Sequence, residues 1–369
     1  MTMQTSTTER TANFSAGPGA LPESVLRQAQ QDIWDIAGSG IGILEHSHRG
    51  KVFDRVIEEA EATCRRVAGI PDNYRVLFLQ GGASTQFAMV PMNLRPEGTT
   101  ADYLVTGSWA QKAYEEAAML GKAHLVATGK ASNFSELPLP GDLKFSAAPA
   151  YLHFTTNNTI FGTQYRTEPI APADTPLVAD ASSDIFSRPI DVARYGLIYA
   201  GAQKNLGPSG VTLVIIRDDL VERSPATIPT MLRYRTHAKE RSLYNTPPTF
   251  GIYVVGQVLK WIEDNGGLVA MEERNRAKAG LLYQTIDAGE FYRGTARVSD
   301  RSQMNVCFRT PSEELDAMFA KEATSRRLDG LKGHRSVGGM RASIYNACRR
   351  EWIVSLVEFM EEFARAHGK

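Results

Sequence analysis

A lysine in a glycine-rich turn is the side chain of this protein best suited to covalent chemistry. Lys204 lies within Ala200-Gly-Ala-Gln-Lys-Asn-Leu-Gly-Pro-Ser-Gly210, between the apolar runs 195–200 and 211–216. These runs predict two strands, and the glycines between them let the backbone approach a ligand closely. An amine in such a turn can form a Schiff base if its surroundings lower its pKa. Taken alone, a lysine in a Gly/Pro-rich loop is more often a solvated surface charge.

A carboxylate at the end of another apolar run favours the chemical interpretation. Asp180 ends Pro176-Leu-Val-Ala-Asp180, where a short strand would deliver its side chain to the carboxyl edge of a sheet. Open α/β sheets bind ligands at that edge. Pyridoxal phosphate needs both groups, because a lysine holds its aldehyde as an imine and an acid keeps its pyridine nitrogen protonated. The alternative role for Asp180 is a helix N-cap.

The composition is that of an ordinary globular protein without net charge. Of the 369 residues, 43% are hydrophobic and 22% are charged, and 41 basic side chains balance 41 acidic ones. This length allows two domains, and the zero net charge gives no global field that favours nucleic acid or an anionic membrane. We therefore predict small-molecule partners that are bound by local clusters of charge.

The cysteines and the chain start bear on metal binding and location. The three cysteines, Cys64, Cys307 and Cys348, are far apart and form no CxxC pair, which argues against a zinc site or a disulfide framework and favours a reducing cytoplasm. Apolar runs are too short for a membrane span, and the first ten residues lack the apolar core of a secretory signal. We predict no metal site, a cytoplasmic location, and a loose tail over residues 1–12.

Strands and helices alternate along the first two thirds of the chain. Strands are predicted over 74–79, 101–105, 124–127 and 151–154, with helices after the first two of them. Such alternation predicts an α/β fold with a mainly parallel sheet covered by helices. The short connection between the runs around Lys204 predicts an antiparallel pair, so that the sheet is mixed at one edge.

The same pattern predicts two domains. Asp264-Asn-Gly-Gly267 is interpreted as the hinge between a large domain over residues 23–264 and a smaller α+β domain over residues 265–369. Residues 13–22 are predicted to form an irregular lead-in associated with the small domain and the site. We expect a polar segment over residues 232–244, without assigning it a helix or strand.

Several turns carry side chains suited to a flat, phosphorylated ligand. The turn Gln80-Gly-Gly-Ala-Ser-Thr85 would present backbone N–H groups at a helix start, although a plain strand-to-helix connection is the alternative. Trp109 could stack on a planar ring or pack in the core. Thr159, at the end of Thr156-Asn-Asn-Thr159, could reach a ring hydroxyl or belong to a plain turn.

Two basic clusters are candidate sites for the charged groups of a substrate. His48 and Arg49 precede a helix, where an arginine fork matches a carboxylate or phosphate. The second cluster places His334, Arg335 and Arg341 among glycines near the end of the chain. For both clusters the alternative is a solvated basic loop.

Five longer stretches carry a resemblance that covers nearly the whole chain. They are Asn13-Phe-Ser-Ala-Gly-Pro18, Ser47-His-Arg-Gly50, Tyr199-Ala-Gly-Ala-Gln-Lys-Asn205, Tyr244-Asn-Thr-Pro-Pro-Thr-Phe250, and Lys332-Gly-His-Arg335 with Gly338-Gly-Met-Arg-Ala-Ser-Ile-Tyr-Asn346. In these stretches the chain resembles the phosphoserine aminotransferases, which are fold-type I, class V enzymes dependent on pyridoxal phosphate. The resemblance implies a seven-stranded, mainly parallel sheet in the large domain.

The resemblance also implies the residues that hold the cofactor. Lys204 would form the imine, Asp180 would pair with the pyridine nitrogen, Trp109 would stack on the ring, and Thr159 would contact the ring hydroxyl. The cofactor phosphate would be bound by Ala83, Ser84 and Gln203, and by Asn245 and Thr246 of a second subunit. Family members often carry Gly-Arg in place of Ala83-Ser84 and a second serine in place of Ala16. Contacts made by backbone N–H groups survive these differences.

The implied reaction is reversible transamination between glutamate and 3-phosphohydroxypyruvate, giving O-phospho-L-serine and 2-oxoglutarate in serine biosynthesis. The substrate phosphate would be held by His48 and Arg49, with His334 and Arg335 of the partner subunit, and Arg341 would hold the α-carboxylate. A homodimer with shared active sites follows. The family also suggests 4-phosphohydroxythreonine, on the route to pyridoxine, as a second substrate.

Two other functions remain open from the sequence. A lyase or desulfurase on the same fold would keep Lys204 and Asp180, but a desulfurase needs a loop cysteine, and the three cysteines lie in predicted helix, strand or terminal contexts. A non-catalytic relative would bind the cofactor without completing either half-reaction.

Overall fold

The structure is a computed structural model that describes residues 10–368, so most of the predicted tail lies outside the described residues. The helices are α1 (Glu23–Trp34), α2 (Lys51–Ala68), α3 (Gly82–Leu94), α4 (Ser108–Leu120), α5 (Asp218–Val221), α6 (Tyr234–Lys239), α7 (Thr249–Asp264), α8 (Gly267–Asp287), α9 (Glu313–Ser325) and α10 (Arg350–His367). The strands are β1 (Ala12–Asn13), β2 (Tyr74–Leu79), β3 (Thr100–Val105), β4 (Ala123–Thr128), β5 (Pro149–Thr155), β6 (Asn157–Asn158), β7 (Thr163–Gln164), β8 (Leu177–Asp180), β9 (Tyr195–Gly201), β10 (Thr212–Arg217), β11 (Arg293–Gly294), β12 (Asn305–Arg309), β13 (Leu328–Asp329) and β14 (Met340–Ser343). None of the described helices is long and apolar enough to cross a membrane.

A seven-stranded sheet organises the larger part of the molecule. Its strand order is β2-β10-β9-β8-β5-β3-β4, and the neighbours from β9 to β4 are parallel. The predicted α/β fold is therefore confirmed. Strand β10 runs antiparallel to both β9 and β2, so the antiparallel strand lies one position in from the edge instead of on it.

Helices cover both faces of this sheet, because its central strands are apolar throughout. Every residue of β8 and β9 is buried, as expected for strands without a solvent-facing side. Helices α2 and α7 pack on one face, and α3 and α4 pack on the other. The strands then end at a common edge, where the residues that follow them come together.

A separate hydrophobic core lies in the C-terminal part of the chain. It gathers the buried side chains of α10, β12 and β14, and it also includes Ala12, Phe14 and Ala20 from the chain start. Helix α8 contributes to both cores, since Leu268 belongs to the core of the large sheet and Leu282 to this second one. The predicted domain boundary at residue 264 stays a prediction, and the helix that follows it has one end in each core.

The N-terminal lead-in connects the second core to the lysine turn. Strand β1 pairs in parallel with β13, which is a regular element where the sequence predicted none. The N–H of Gly19 donates to the carbonyl oxygen of Gln203 at 2.8 Å, and the Tyr345 hydroxyl donates to the carbonyl oxygen of Ala16 at 2.7 Å. A side chain at Gly19 would collide with Lys204, because its Cβ would lie 2.6 Å from the carbonyl oxygen of that residue.

One helix was missed by the sequence reading. The polar segment over residues 232–244 contains α6, whose Tyr234 is fully buried and donates its hydroxyl to Oε1 of Gln86 at 2.6 Å. His237 is buried as well, with Nε2 at 2.8 Å from the carbonyl oxygen of Met231. The polar composition concealed this helix because its two buried side chains, Tyr234 and His237, are themselves polar and are satisfied by hydrogen-bond partners.

Candidate active site

The structure places Lys204 next to Thr159 and Trp109, three residues that follow different strands. Lys204 lies in the turn after β9, Thr159 follows the β6 residues beyond β5, and Trp109 is in the first turn of α4 after β3. Nζ of Lys204 donates to Oγ1 of Thr159 at 2.7 Å and lies 5.5 Å from the centre of the Trp109 ring. These three predicted site residues are therefore neighbours, although Thr159 and Lys204 are 45 positions apart along the chain and Trp109 is more distant still.

Asp180 is held rigidly at the same edge of the sheet. Its Oδ1 accepts two hydrogen bonds from Ser182, from the backbone N–H at 3.0 Å and from the hydroxyl at 2.6 Å. The Ser182 hydroxyl oxygen also accepts from the N–H of Gly201 at 3.0 Å, which ties the Asp180 turn to the end of β9. Asp180 is only 3% exposed, and Oδ2 accepts no hydrogen bond from the residues that the structure describes. One oxygen is thus fixed, and the other is free for a ligand.

Burial and charge set the protonation of these two groups. Burial lowers the pKa of Lys204 to about 8, against the opposing effect of the Asp180 carboxylate, and the Arg341 guanidinium lowers it further. Burial raises the pKa of Asp180, while Lys204 and the two hydrogen bonds from Ser182 oppose that rise. Part of the Lys204 residue remains exposed, so its amine is both easily deprotonated and accessible. Each of the two charges affects the pKa of the other, so the two side chains lie near one another.

This proximity gives a pH prediction for the apoenzyme. Acetylation of Lys204 should reach half its maximal rate near pH 8 instead of near the 10.5 of an ordinary lysine, because only the neutral amine reacts. Asp180→Asn should move the midpoint lower, since the substitution removes the negative charge that raises the pKa of Lys204. Mass spectrometry of the labelled peptide measures both, and an unchanged midpoint near 10.5 in the two proteins would contradict the geometry.

The lowered pKa of Lys204 also determines how its contribution to stability changes with pH. Between about pH 8 and 10.5 the unfolded lysine still binds a proton that the folded Lys204 has lost. The contribution of Lys204 to the free energy of unfolding of the apoenzyme therefore increases with pH across this window. Below pH 8 both states are protonated, and the cost of burying the ammonium is present in full.

The glycine turn after β2 presents free backbone donors. Gly81 and Gly82 have φ of +85° and +64°, and helix α3 begins directly with Gly82. The first hydrogen bond across this turn runs from the N–H of Thr85 to the carbonyl oxygen of Gly81 at 3.3 Å. The amides of Ala83 and Ser84 precede it and remain available at the positive end of the helix dipole, where an anion is stabilised.

The other predicted phosphate ligands lie around this turn and the lysine turn. Gln203 adjoins Lys204, and Gly201 leaves room for it, since a Cβ there would lie 2.7 Å from Oε1 of Gln203. Asn245 donates from Nδ2 to Oε1 of Gln80 at 3.2 Å, and Thr246 beside it is exposed.

Arg341 reaches the site from the second core. It lies on β14, and Nη1 donates to the carbonyl oxygen of Thr159 at 3.5 Å. No carboxylate among the described residues forms an ion pair with Arg341, His334 or Arg335. Burial lowers the pKa of His334, and the positive charges of Arg341, Arg335 and Lys112 lower it further. Arg341 therefore brings a guanidinium without an ion-pair partner to Thr159, while His334 and Arg335 line a cavity together with Glu313 and Asp316.

His48 and Arg49 form the first of the two predicted basic clusters. They lie in the turn before α2, where the Arg49 N–H donates to the hydroxyl of Ser47 at 3.2 Å, and Arg49 is exposed. No described hydrogen bond or ion pair joins His48 or Arg49 to Lys204, Asp180 or Arg341. Of the five predicted substrate-binding residues, Arg341 is the one with a described hydrogen bond to a neighbour of Lys204.

Polar atoms without partners mark the place of a ligand. Among the described residues, twelve buried side-chain nitrogen or oxygen atoms lack a hydrogen-bond partner, and four belong to predicted site residues: Nε2 of His48, Nε1 of Trp109, Oδ1 of Asn245 and Nε of Arg341. Buried polar groups are normally paired, so this concentration indicates missing ligand or partner contacts. An accessible amine, a free carboxylate oxygen, an aromatic ring and free helix amides together fit pyridoxal phosphate.

Sequence reasoning missed residues that support the site. Ser182 fixes Asp180, and Asn158 fills the space beside Gly107, where a Cβ would lie 2.7 Å from Oδ1 of Asn158. The run Asp180-Ala-Ser182 was visible, and an Asp-x-Ser spacing permits an Asx-type turn in which the aspartate oxygen accepts from the residue two positions later. No local signal in the sequence placed Asn158 next to Gly107, because the two are distant in the chain.

Comparison with known proteins agrees with this geometry. Residues 11–356 match the family model described as Aminotransferase class-V. The chain is 54% identical to the phosphoserine aminotransferase of Herpetosiphon aurantiacus over 357 residues, covering 96% of this chain and 99% of the relative. It is 54% identical to the phosphoserine aminotransferase of Niallia circulans over 361 residues, covering 98% and 99%.

Solved structures give the same result. The phosphoserine aminotransferase from Bacillus circulans subsp. alkalophilus matches with a TM-score of 0.95 and 54% identity, covering 97% of this chain and 99% of that one. The pyridoxal phosphate-bound phosphoserine aminotransferase from Trichomonas vaginalis matches with a TM-score of 0.92 and 40% identity, covering 95% and 100%. The chain therefore belongs to the class-V aminotransferases and, within them, to the phosphoserine aminotransferase family.

Proposed function

We propose that this chain catalyses reversible transamination between glutamate and 3-phosphohydroxypyruvate, giving O-phospho-L-serine and 2-oxoglutarate, a step of serine biosynthesis. The observation that carries this conclusion is the convergence of Lys204 and Asp180 at one edge of the sheet, in a chain of this family. The chain is an aminotransferase, and pyridoxal phosphate is its cofactor. The relatives bear the name of this activity and not that of a lyase or desulfurase.

The residues around Lys204 perform the proton transfers. Pyridoxal phosphate, when bound, supplies an aldehyde for the amino group and an electron-withdrawing ring. Once displaced by substrate, the Lys204 amine would take the proton from the substrate Cα and pass it to the former aldehyde carbon of the cofactor, and in the second half-reaction it would carry a proton in the opposite direction. A pKa lowered to about 8 suits both directions, because the amine is readily deprotonated and reprotonated near neutral pH. The contact with Thr159 orients the amine.

Asp180 supports this chemistry from the opposite end of the ring. Its free oxygen would hold the proton on the pyridine nitrogen, and Ser182 fixes the angle of the carboxylate. Trp109 would cover the face of the ring, with Thr159 at the ring hydroxyl. The residues that we propose for the cofactor phosphate are Ala83, Ser84 and Gln203, with Asn245 and Thr246 from a second subunit.

The basic clusters explain how one site accepts two kinds of substrate. Arg341, which has no acidic partner in the described chain, would bind the α-carboxylate common to both substrates. His48, Arg49, His334 and Arg335 would hold the phosphate of 3-phosphohydroxypyruvate and the side-chain carboxylate of glutamate. A guanidinium fork fits either anion with two hydrogen bonds, so the same residues serve both half-reactions.

A homodimer with shared sites is part of the proposal. The resemblance assigns His48 and Arg49 to the site that contains their own Lys204, and His334 and Arg335 to the site of the partner. The described side-chain hydrogen bond of His334 is to Ser336 within its own loop, which leaves its ring free to serve a second chain. Trp34 and Leu44, which are 86% and 57% exposed, precede the His48 segment and suit burial against a second chain.

Mixing two inactive variants distinguishes the assignments. Light scattering should first give about twice the 40.6 kDa of one chain. Co-folded Lys204→Ala and Arg335→Met chains should recover about a quarter of wild-type activity, because half of the dimers are mixed and each mixed dimer has one intact site. Co-folded Lys204→Ala and Arg49→Met chains should stay inactive. The opposite pattern would support the reverse assignment, and a monomer of 40.6 kDa would contradict shared sites altogether.

The activity itself is tested by separating the half-reactions. Glutamate added to the loaded enzyme should change the visible absorbance of the cofactor and release one 2-oxoglutarate per chain. Later addition of 3-phosphohydroxypyruvate should restore the spectrum and yield O-phosphoserine. No 2-oxoglutarate would indicate a non-catalytic relative, and sulfide release from cysteine would indicate a desulfurase.

Two finer points belong to the same proposal. The enzyme would also accept 4-phosphohydroxythreonine, which the reverse half-reaction tests directly by the same spectral change. A cytoplasmic location is supported by Cys64, Cys307 and Cys348, which are all free and buried. Localisation of a tagged chain in cell fractions tests it.

A further inference from the structure

The loop that carries His334 and Arg335 is closed upon itself by backbone hydrogen bonds. We call residues 332–339 the substrate loop. Its base is fixed by the N–H of Arg341, which donates to the carbonyl oxygen of Leu331 at 2.8 Å, and by the N–H of Gly333, which donates to that of Gly339 at 2.8 Å. At its tip the carbonyl oxygen of His334 accepts from Val337 at 2.9 Å and from Gly338 at 2.8 Å. The loop therefore has one defined shape.

A side chain from outside the loop holds this shape. Arg309 ends β12, and its Nη2 donates to the carbonyl oxygen of Val337. Gly338 and Gly339 have φ of +77° and +67°, and a Cβ at Gly339 would lie 2.8 Å from Cγ of Arg309. The loop backbone thus wraps closely around the Arg309 side chain, at positions where only glycine fits.

The charge of Arg309 is not used in an ion pair. No carboxylate among the described residues pairs with it, and Val337 is its hydrogen-bond acceptor. Its neighbour across the antiparallel pair of strands is another arginine, Arg293, which lines the same cavity without a described contact to the loop. Two like charges on paired residues are unfavourable for stability. The contribution of Arg309 to the structure is therefore its hydrogen bond to Val337 and not its charge.

The substrate loop has space to move on both sides. A cavity of about 300 Å³ lies beside Val337 and Arg309, and a cavity of about 510 Å³ lies beside His334 and Arg335. A close-packed loop would be held by its neighbours, but this one borders open volume on two faces. Removal of the Arg309 contact would therefore let the tip shift.

We infer that Arg309 is a positioning residue, which acts through Val337 to hold His334 and Arg335 in place for the phosphate group of the substrate. This inference rests on the proposed function, which assigns phosphate binding to those two residues. Arg309 itself does not touch the substrate. A shift of about 1 Å in phosphate-binding groups is costly, because charge-assisted hydrogen bonds depend on geometry.

Arg309→Met tests the inference in the holoenzyme, where the cofactor occupies its own phosphate site. We expect the KM for 3-phosphohydroxypyruvate to increase about 10-fold while kcat at saturation changes less than about 2-fold. Inorganic phosphate, titrated by calorimetry, should bind about 10-fold more weakly. Hydrogen exchange at residues 332–339 should accelerate. Arg309→Lys, which keeps the charge and a donor, should restore part of each effect. If Arg309→Met folds poorly, Gly339→Ala replaces it as the test variant and should produce the same changes.

Two further variants separate the possible outcomes. Arg293→Met removes an equal charge from the same cavity and should leave KM, phosphate binding and exchange unchanged, so an equal loss in this control would overturn the inference. Arg335→Met should lose phosphate binding, and if it does not, the proposed function of the loop fails instead. If Arg335→Met loses binding but Arg309→Met behaves as wild type in all three measurements, Arg309 does not position the loop.

Discussion

Lys204→Ala should lower the rate of transamination by at least about 10⁴-fold, because it removes both the amine that holds the aldehyde and the base that moves the substrate proton. The hydrogen bond from Nζ to Thr159 and the pKa of about 8 show that this amine is oriented and easily deprotonated. The loss should appear in both half-reactions, measured by stopped-flow absorbance with glutamate and with 3-phosphohydroxypyruvate.

Lys112→Ala provides the matched control. Its ammonium lies 4.7 Å from the centre of the same Trp109 ring, but the residue is exposed. Both variants therefore remove a positive charge near the Trp109 ring, but only Lys204→Ala removes the amine that contacts Thr159. The control should retain activity within a few-fold of wild type. Turnover by Lys204→Ala comparable to that of the control would remove the basis of the mechanism.

Asp180→Asn should lower kcat by about 10²- to 10³-fold without unfolding the protein. Asparagine has nearly the same shape and keeps an oxygen that can accept from Ser182, but it cannot hold a proton on the pyridine nitrogen by charge. Cofactor affinity, measured by fluorescence titration, should weaken as well. The thermal stability of the apoenzyme should not fall, because burial disfavours the charge that the substitution removes.

Ser182→Ala completes this series. It keeps the Asp180 carboxylate and the backbone hydrogen bond, but it removes the hydroxyl at 2.6 Å and the acceptor of the Gly201 N–H. We expect a loss of about 10-fold, between wild type and Asp180→Asn. Full activity in Asp180→Asn would show that the carboxylate charge has no role.

The sequence was informative where a polar residue ends an apolar strand. Asp180 and Lys204 both follow runs that are buried throughout, and the parallel arrangement of those strands brings their ends to one edge. A charged side chain is costly inside such a run, so its position at the end is a strong local signal. The element pattern therefore led to the two chemical groups and to the α/β fold.

The sequence was less informative where contacts connect distant segments. In the sequence Arg309 is simply a polar residue at the end of an apolar strand. Its contact with Val337 could not be predicted, because it depends on the three-dimensional path of the substrate loop. Helix α6 was missed because its tyrosine and histidine are buried by partners in other elements. Which subunit supplies His48 and Arg49 cannot follow from their order in the chain, since a shared site depends on contacts between chains.

The parallel pairing of β1 with β13 links the beginning of the chain to a segment made more than 300 residues later. At a ribosomal rate of ~5–20 residues per second, Ala12 and Asn13 wait roughly 15 to 60 seconds for their pairing partners. Phe14 is fully buried in the complete protein, but the C-terminal residues that bury it have not yet been synthesised during that time. Completion of this core is therefore a late step of biosynthesis, and nascent chains that stall before residue 328 expose an apolar N-terminal segment to chaperones.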